Sequence, residues 1–313
     1  PSFEKLSAPV PAAVTLDTTL PAPVDADGFL SIILTGAVND AMVAAGQDVT
    51  GSANADAITT SGQNDTIRGG LGNDVLNGGA GNDSILGEGG DDTIVGFLGT
   101  DTVDGGAPAD PNTLTIPATS ADLNTATDGQ VQNILNVVLT GGGTDLNLGN
   151  QSEGFNITGS AGGDTLRGGA GNDTITGGGS QDIFDIVSGT DIITDLGAGG
   201  GIDGLRVSAG ATANATVTDD YTAPVGLSTN FGTANLTLNN GIDANMDAST
   251  GPNGYTITAA GNLLASAIVG SDFADTITGG NGDDTITGGL GNDSVLGGAG
   301  ADTYNINAAT DGA

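Results

Sequence analysis

Gly69-Gly70-Leu71-Gly72-Asn73-Asp74-Val75-Leu76-Asn77 is the stretch on which the reading of this chain turns. It returns as Gly279-Gly280-Asn281-Gly282-Asp283-Asp284-Thr285-Ile286-Thr287. The aspartate recurs every nine residues, at positions 56, 65, 74, 83, 92 and 101, at 164, 173, 182 and 191, and at 275, 284, 293 and 302. Adjacent glycines accept backbone angles that other residues resist, and they leave carbonyl oxygens without a Cβ in the way. The first six residues of the unit therefore predict a turn and the last three a short strand. Two residues after each aspartate stands an apolar or aromatic side chain, such as Ile58, Leu76, Ile94, Phe184, Ile286 or Tyr304. That position faces an interior. Its flanks, among them Thr66, Thr174, Thr176, Thr285 and Thr287, point outward by pleat alternation.

The composition agrees with a repetitive, acidic, oxygen-rich protein. The 313 residues carry 38 acidic side chains and four basic ones, Lys5, Arg68, Arg167 and Arg206, for a formal charge of −34. Nothing in such a chain neutralises phosphates, so nucleic acid is excluded as a partner. So large a single-sign charge opposes compaction through self-repulsion unless bound cations cancel it. There is no Cys and no His, which removes disulfides, thiolate and imidazole chemistry and the usual zinc sites. The remaining oxygen ligands suit a hard cation, and calcium is the expected one. Aromatic residues make up 3% of the chain, with no Trp; a thin, repeated core fits that better than one thick globular core.

The periodicity divides the chain. Residues 1–46 read as an extended Pro-rich arm, because Pro1, Pro9, Pro11, Pro21 and Pro23 forbid a long helix. Repeat blocks follow at 47–111, 159–196 and 270–313. Spacers at 112–158 and 197–269 lack the nonapeptide, but their short alternating runs, such as Asn133–Leu139 and Ala234–Asn239, read as strands. From Asp110 to Asp164 is a whole number of nonapeptides, so the first spacer is expected to keep the register. From Asp191 to Asp275 is not, so the second is expected to carry insertions or a bulging loop.

In the nonapeptide the chain resembles the repeats-in-toxin (RTX) family, a calcium-binding β-roll repeat. The resemblance implies an all-β fold, a parallel β-roll or β-solenoid with calcium-binding glycine-rich turns. Two nonapeptides make one coil in that family, so loops 18 residues apart stack, and stacked strands about 4.8 Å apart leave room for an ion between loops. It further implies several Ca2+ ions held by Asp65, Asp74, Asp83, Asp92, Asp101, Asp164, Asp173, Asp182, Asp191, Asp275, Asp284, Asp293 and Asp302. The backbone carbonyls of Gly70, Gly72, Gly79, Gly81, Gly169, Gly171, Gly280, Gly282, Gly289 and Gly291 would complete the shells. The loops Gly51–Asp56 and Thr60–Asp65, and those ending at Asp101, Asp182 and Asp191, depart from the pattern. Export by type I secretion to the extracellular space or a bacterial cell surface is the family's usual route.

Other chemistries fail on inspection. A P-loop needs a Lys after Gly, and the one Lys is Lys5. Asp243, Asn245 and Asp247 open like an EF-hand, but Ala248 and Gly254 stand where its Gly and Glu belong. Carboxylates in the spacers, Glu153 or Asp219 and Asp220, offer paired acids for glycoside hydrolysis, yet the basic side chains that usually assist them are nearly absent, and no enzyme is expected. The run Phe29–Val43 is too short, and too broken by Asn39 and Asp40, to span a bilayer, and no secretory signal peptide is visible. The expected function is a structural protein that folds on calcium and polymerises with itself, head to tail or in a lattice, as a surface layer or filament. A calcium-binding spacer of a larger adhesin or secreted enzyme is the alternative, and a cell-surface glycan is a further candidate partner.

Overall fold

The computed structural model describes residues 30–33, 46–60 and 62–305. The Pro-rich arm at 1–46 lies outside them, except for the strand Leu30–Ile33, which pairs parallel to Gln47–Thr50, and so does the tail 306–313. The chain forms two compact units, residues 1–140 and 141–313. Each by itself is a parallel β-solenoid.

In the first unit successive strands alternate between two sheets. Gln47–Thr50, Thr66–Leu71, Ser84–Gly89, Thr102–Asp104 and Val131–Gln132 stack on one side; Ala57–Thr59, Val75–Asn77, Thr93–Val95, Thr113–Ile116 and Asn136–Leu139 stack on the other. A three-residue strand buries only its middle side chain, so the core is two facing files: Val49, Ile67, Ile85 and Val103 against Ile58, Leu76, Ile94 and Leu114. Burial of one such branched side chain per strand contributes roughly 1.5–3 kcal/mol. The turns that join them require glycine where φ is positive, as at Gly70 (110°) and Gly72 (107°).

The second unit repeats the plan. One wall stacks Asn156–Thr158, Thr174–Thr176, Thr190–Leu196, Thr212–Val217, Thr233–Leu238, Tyr255–Thr258, Thr276–Thr278 and Ser294–Leu296. Opposite it run two shorter sheets, one from Asp145–Asn147 to Thr229–Asn230 and one from Tyr221–Thr222 to Thr303–Asn305. Ile175, Ile193, Leu236, Ile257 and Ile277 fill one file, and Leu166, Phe184, Leu205, Ile268 and Ile286 fill the other.

Coil length separates repeats from spacers. In the blocks partners lie 18 residues apart, as Val75 with Thr93 or Thr285 with Thr303. The first spacer does not keep that count: Thr93 pairs with Thr113, Thr113 with Asn136, and Val103 with Val131, steps of 20, 23 and 28 residues. The extra length is taken up by two short 3-10 segments, Leu123–Thr125 and Asp128–Gln130. They are anchored by buried Leu123 and by the Ser120 hydroxyl donating to the Phe97 carbonyl at 2.6 Å. The whole number of nonapeptides between Asp110 and Asp164 is thus a coincidence of sum. The second spacer, expected to carry insertions or a bulging loop, coils with steps longer than those of the blocks. Ile192 pairs with Asn214, Asn214 with Asn235, Asn235 with Thr256 and Thr256 with Thr276, steps of 22, 21, 21 and 20. Its added residues lengthen the strands, and a register shift falls between Ile193 and Leu196.

Candidate metal centres

Each repeat aspartate sits where its turn meets the strand, and its side chain folds back under the loop. A Cβ on Gly69, Gly78, Gly87, Gly168, Gly279, Gly288 or Gly297 would collide with Oδ2 of the aspartate five residues on. The opening glycine of these loops is therefore a space left for a carboxylate. Loops that open with Thr60 or Ile186 seat their aspartates without that gap.

The carboxylates form ladders along the coils. Oδ1 of Asp74 accepts the backbone N–H of Asp56 at 2.7 Å, Asp83 that of Asp65 at 2.8 Å, Asp92 that of Asp74 at 2.9 Å and Asp101 that of Asp83 at 2.8 Å. In the second unit Asp182 accepts from Asp164 (2.8 Å), Asp191 from Asp173 (2.9 Å), Asp293 from Asp275 (3.0 Å) and Asp302 from Asp284 (3.0 Å). The pairs expected from an 18-residue coil are all brought together. Asp65, Asp74, Asp83, Asp92, Asp101, Asp164, Asp173, Asp182, Asp191, Asp275 and Asp284 are buried, while Asp293 and Asp302, in the last described coil, are half-buried.

The carbonyls of Gly72, Gly81, Gly171, Gly280 and Gly282 project onto the loop one coil on, at Gly90, Gly99, Gly189, Gly298 and Gly300. The carbonyl of Gly169 accepts from the Ser188 hydroxyl at 3.1 Å, and that of Gly280 also accepts from Ala299 N–H at 2.9 Å. Gly70 lies against the Ser52 carbonyl. Gly79, Gly289 and Gly291 take the positive φ of the same turn, 82°, 102° and 115°.

The second carboxylate oxygen divides the sites. Oδ2 of Asp74, Asp83 and Asp92 is buried with no hydrogen-bond partner. A buried anionic oxygen without a donor is costly. A cation between the loops removes that cost, so these residues fit a hard, oxygen-seeking metal. Burial is the first cause that lifts these acids: Asp74 is pushed up to about 6 and Asp83 to about 7, with neighbouring carboxylates adding to it. Asp182 and Asp191 also rise to about 7 for the same reasons. Among the described residues no three carboxylates converge on one point. The donor set between two loops is therefore two aspartates plus backbone carbonyls, a mixture that suits the six to eight oxygens calcium takes.

Two aspartates of the ladder stand outside the expected ligand set. Asp56 is buried, its N–H donates to Asp74 and its Oδ1 is unpartnered; its loop, Gly51-Ser-Ala-Asn-Ala-Asp56, departs from the glycine pattern. Asp203 is buried, accepts from the Asp182 N–H at 2.8 Å and from Gly197 N–H at 2.7 Å, and is raised to about 6, chiefly by burial. The stretch Asp203-Gly204-Leu205-Arg206 keeps the aspartate–apolar spacing and was legible in principle. One position closes a ladder: Asn112 stands above Asp92, its Oδ1 accepting the Asp92 N–H at 2.8 Å while its amide donates to the Asn133 carbonyl at 3.2 Å.

The profile of the RTX calcium-binding nonapeptide repeat matches four stretches of the chain, residues 50–85, 77–110, 158–193 and 269–304. They cover the two ladders of the first unit and both ladder segments of the second, and leave out the long coils between. No curated protein matches the chain.

Proposed function

Because the chain is an RTX-repeat protein, whose nonapeptides bind several Ca2+ ions in a β-roll, we propose that it is a secreted structural protein that folds on calcium outside the cell and assembles with copies of itself. The ladder aspartates from Asp65 to Asp101, from Asp164 to Asp191 and from Asp275 to Asp302 are its ligands, with Asp56 and Asp203 added, and the loop carbonyls complete each shell. Where calcium is scarce, uncompensated carboxylates hold the repeats open; where it is abundant, binding free energy becomes folding free energy. That switch suits a chain that is exported, by the type I route, before it folds. Among the described residues no helix is long and apolar enough to cross a membrane.

The observation that carries assembly is the last described coil. Tyr304 is 51% exposed and Val295 half-buried, whereas the inward positions they pair with in the preceding coil, Ile286 and Ile277, are buried. An open coil face with apolar side chains and unpaired strand edges accepts another coil. Head-to-tail addition of identical subunits is heterologous and grows into a filament or a layer. Sedimentation and negative-stain imaging of the calcium-loaded protein test this. Filaments or sheets that a Tyr304→Lys substitution abolishes are expected. A protein that folds on calcium yet stays monomeric is instead a rigid calcium-set segment of a larger adhesin or enzyme.

A further inference from the structure

The ladder positions change character between Asp203 and Asp275. Followed along one wall of the second unit, the aspartate column reads Asp173, Asp191, Ala213, Ala234, Tyr255, Asp275 and Asp293. Three successive coils thus carry a neutral residue where the repeats carry a carboxylate. On the other wall Leu205 N–H reaches the Ser228 hydroxyl at 3.3 Å, and Ser266 N–H donates to Asp284 at 2.8 Å. Between Gly204 and Ser266 no carboxylate is buried: Asp219, Asp220 and Asp247 are exposed and Asp243 is half-buried.

What replaces the carboxylates is backbone and amide. Many strands of the repeats are three residues long, as Thr174–Thr176 and Thr276–Thr278, whereas Thr212–Val217 and Thr233–Leu238 have six residues and pair without a break along their full length. The longer pairing joins these coils through backbone, and on this wall only at the far edge does a ladder N–H, that of Tyr255, meet an aspartate, Asp275. Neutral amides tie coil to coil: Asn235 to Asn214 at 2.8 Å, Asn230 to the Gly254 carbonyl at 2.6 Å, Asn253 to that of Gly232 at 2.7 Å and Asn262 to that of Asn239 at 2.9 Å. The interior gains Tyr221 and Tyr255, both buried, and the Tyr221 hydroxyl donates to the Asp203 carbonyl at 3.1 Å. Carboxylates enter only at the exposed rim, where Asp220 accepts the Asp243 N–H at 3.0 Å, and at the far edge, where Asp275 and Asp284 of the next block accept from Tyr255 and Ser266.

We infer that residues 204–266 form a metal-independent core, a set of coils that stays folded when calcium is withdrawn and on which the flanking repeat blocks re-form when it returns. The role rests on the reading that the aspartate ladders are held by calcium. It assigns the segment a function in the switch: a pre-formed edge on each side spares the blocks the unfavourable first coil, since solenoids propagate from any folded neighbour.

The chain itself supplies the reporter. It has three tyrosines and no Trp, and two of the tyrosines lie in this segment. In a Tyr304→Phe protein the near-ultraviolet tyrosine band of circular dichroism comes from Tyr221 and Tyr255 alone. On adding a chelator the far-ultraviolet β signal should fall while the tyrosine band persists. Hydrogen exchange of the unmodified full chain under the same conditions should leave peptides within 204–266 about tenfold or more slower than peptides within 66–104. Loss of both optical signals together, with uniform exchange, overturns the inference and leaves calcium-driven folding standing. A β signal that does not fall on chelation overturns both.

Discussion

The first repeat block and the two later ones share a motif and differ in how they seat its carboxylate. In the first, Oδ2 of Asp74, Asp83 and Asp92 is buried and unpartnered. In the later blocks the same oxygen of four aspartates receives a backbone donor from its own loop: Ser160 N–H for Asp164 at 2.7 Å, Gly169 N–H for Asp173 at 2.9 Å, Ser271 N–H for Asp275 at 2.7 Å and Gly280 N–H for Asp284 at 2.6 Å, as Asp101 at the end of the first block does from Leu98 N–H at 2.8 Å. Ser160 and Ser271 add their hydroxyls, at 2.9 Å and 3.1 Å. A carboxylate already holding two backbone donors carries less of the desolvation cost that a cation would otherwise have to offset. One nonapeptide therefore builds two grades of calcium dependence, and the grade is set by whether the loop turns an N–H toward the carboxylate.

Calcium titration followed by hydrogen exchange should show the largest consequence. Peptides spanning 66–104 are expected to lose protection at a calcium concentration that still protects 159–176 and 270–287. Simultaneous melting of all three would break the comparison.

Next in size is the opening glycine. Gly78→Ala drives a Cβ into the Asp83 carboxylate and should cost about 2–3 kcal/mol in the calcium-loaded protein. Gly129→Ala, where a Cβ meets nothing within 4 Å, should be neutral within about 0.5 kcal/mol. Denaturant midpoints of the two variants decide it.

The same contrast predicts opposite signs for two identical substitutions. Asp83→Asn can keep its oxygen on the Asp65 N–H and turn its amide to the empty side, as Asn112 does above Asp92. In chelator it should stabilise the roll by about 1 kcal/mol, and in calcium it should weaken binding tenfold or more, about 1.4 kcal/mol. Asp173→Asn must set an NH2 group against either Phe155 N–H or Gly169 N–H. It should destabilise in chelator as well, by about 1–3 kcal/mol. Equal effects would mean that the second oxygen is not what separates the blocks. Asp219→Ala, on an exposed spacer residue, should change neither quantity.

Protons give the smallest and least selective effect. Asp83, Asp182 and Asp191 rise to about 7 from an ordinary 3.8, first through burial. Their metal-free folded state holds a proton more tightly than the unfolded chain. That contribution to stability is fully present below about 3.8 and lost as pH rises through about 7. Acidifying the chelated protein across this window should restore β structure in the first and second blocks alike, read by circular dichroism. In calcium the same acid should raise the calcium concentration needed to fold, since protons compete for the ligands.

Much of this was legible in the nonapeptide. Its period placed the inward file from Ile58 to Ile286, and the resemblance to the RTX repeat supplied the 18-residue coil and the aspartate pairs. The spacers were not legible in the same way, because a coil there is defined by strand pairing and not by a glycine turn. The six-residue register of Thr212–Val217 against Thr233–Leu238 leaves no mark at a fixed spacing in sequence. Asp203 was lost to spacing, since its coil is 21 residues long where the repeats have 18, and Asp56 was set aside for a loop short of glycine. The difference between Asp83 and Asp173 was out of reach altogether, since both follow Gly-Asn and only the path of the loop decides whether an N–H turns inward.

Within the repeat blocks successive strands alternate between two walls, and this bears on how such a gene can lengthen. Duplication of one whole coil adds two strands and leaves every later residue on its own wall. Duplication of a single nonapeptide sends each later strand across. In the second unit that exchange would carry the file of Arg167, Asp185 and Arg206 onto the wall now occupied by Thr216, Thr237 and Thr258. Within a repeat block, growth in pairs of repeats keeps every strand on its wall and growth by one does not.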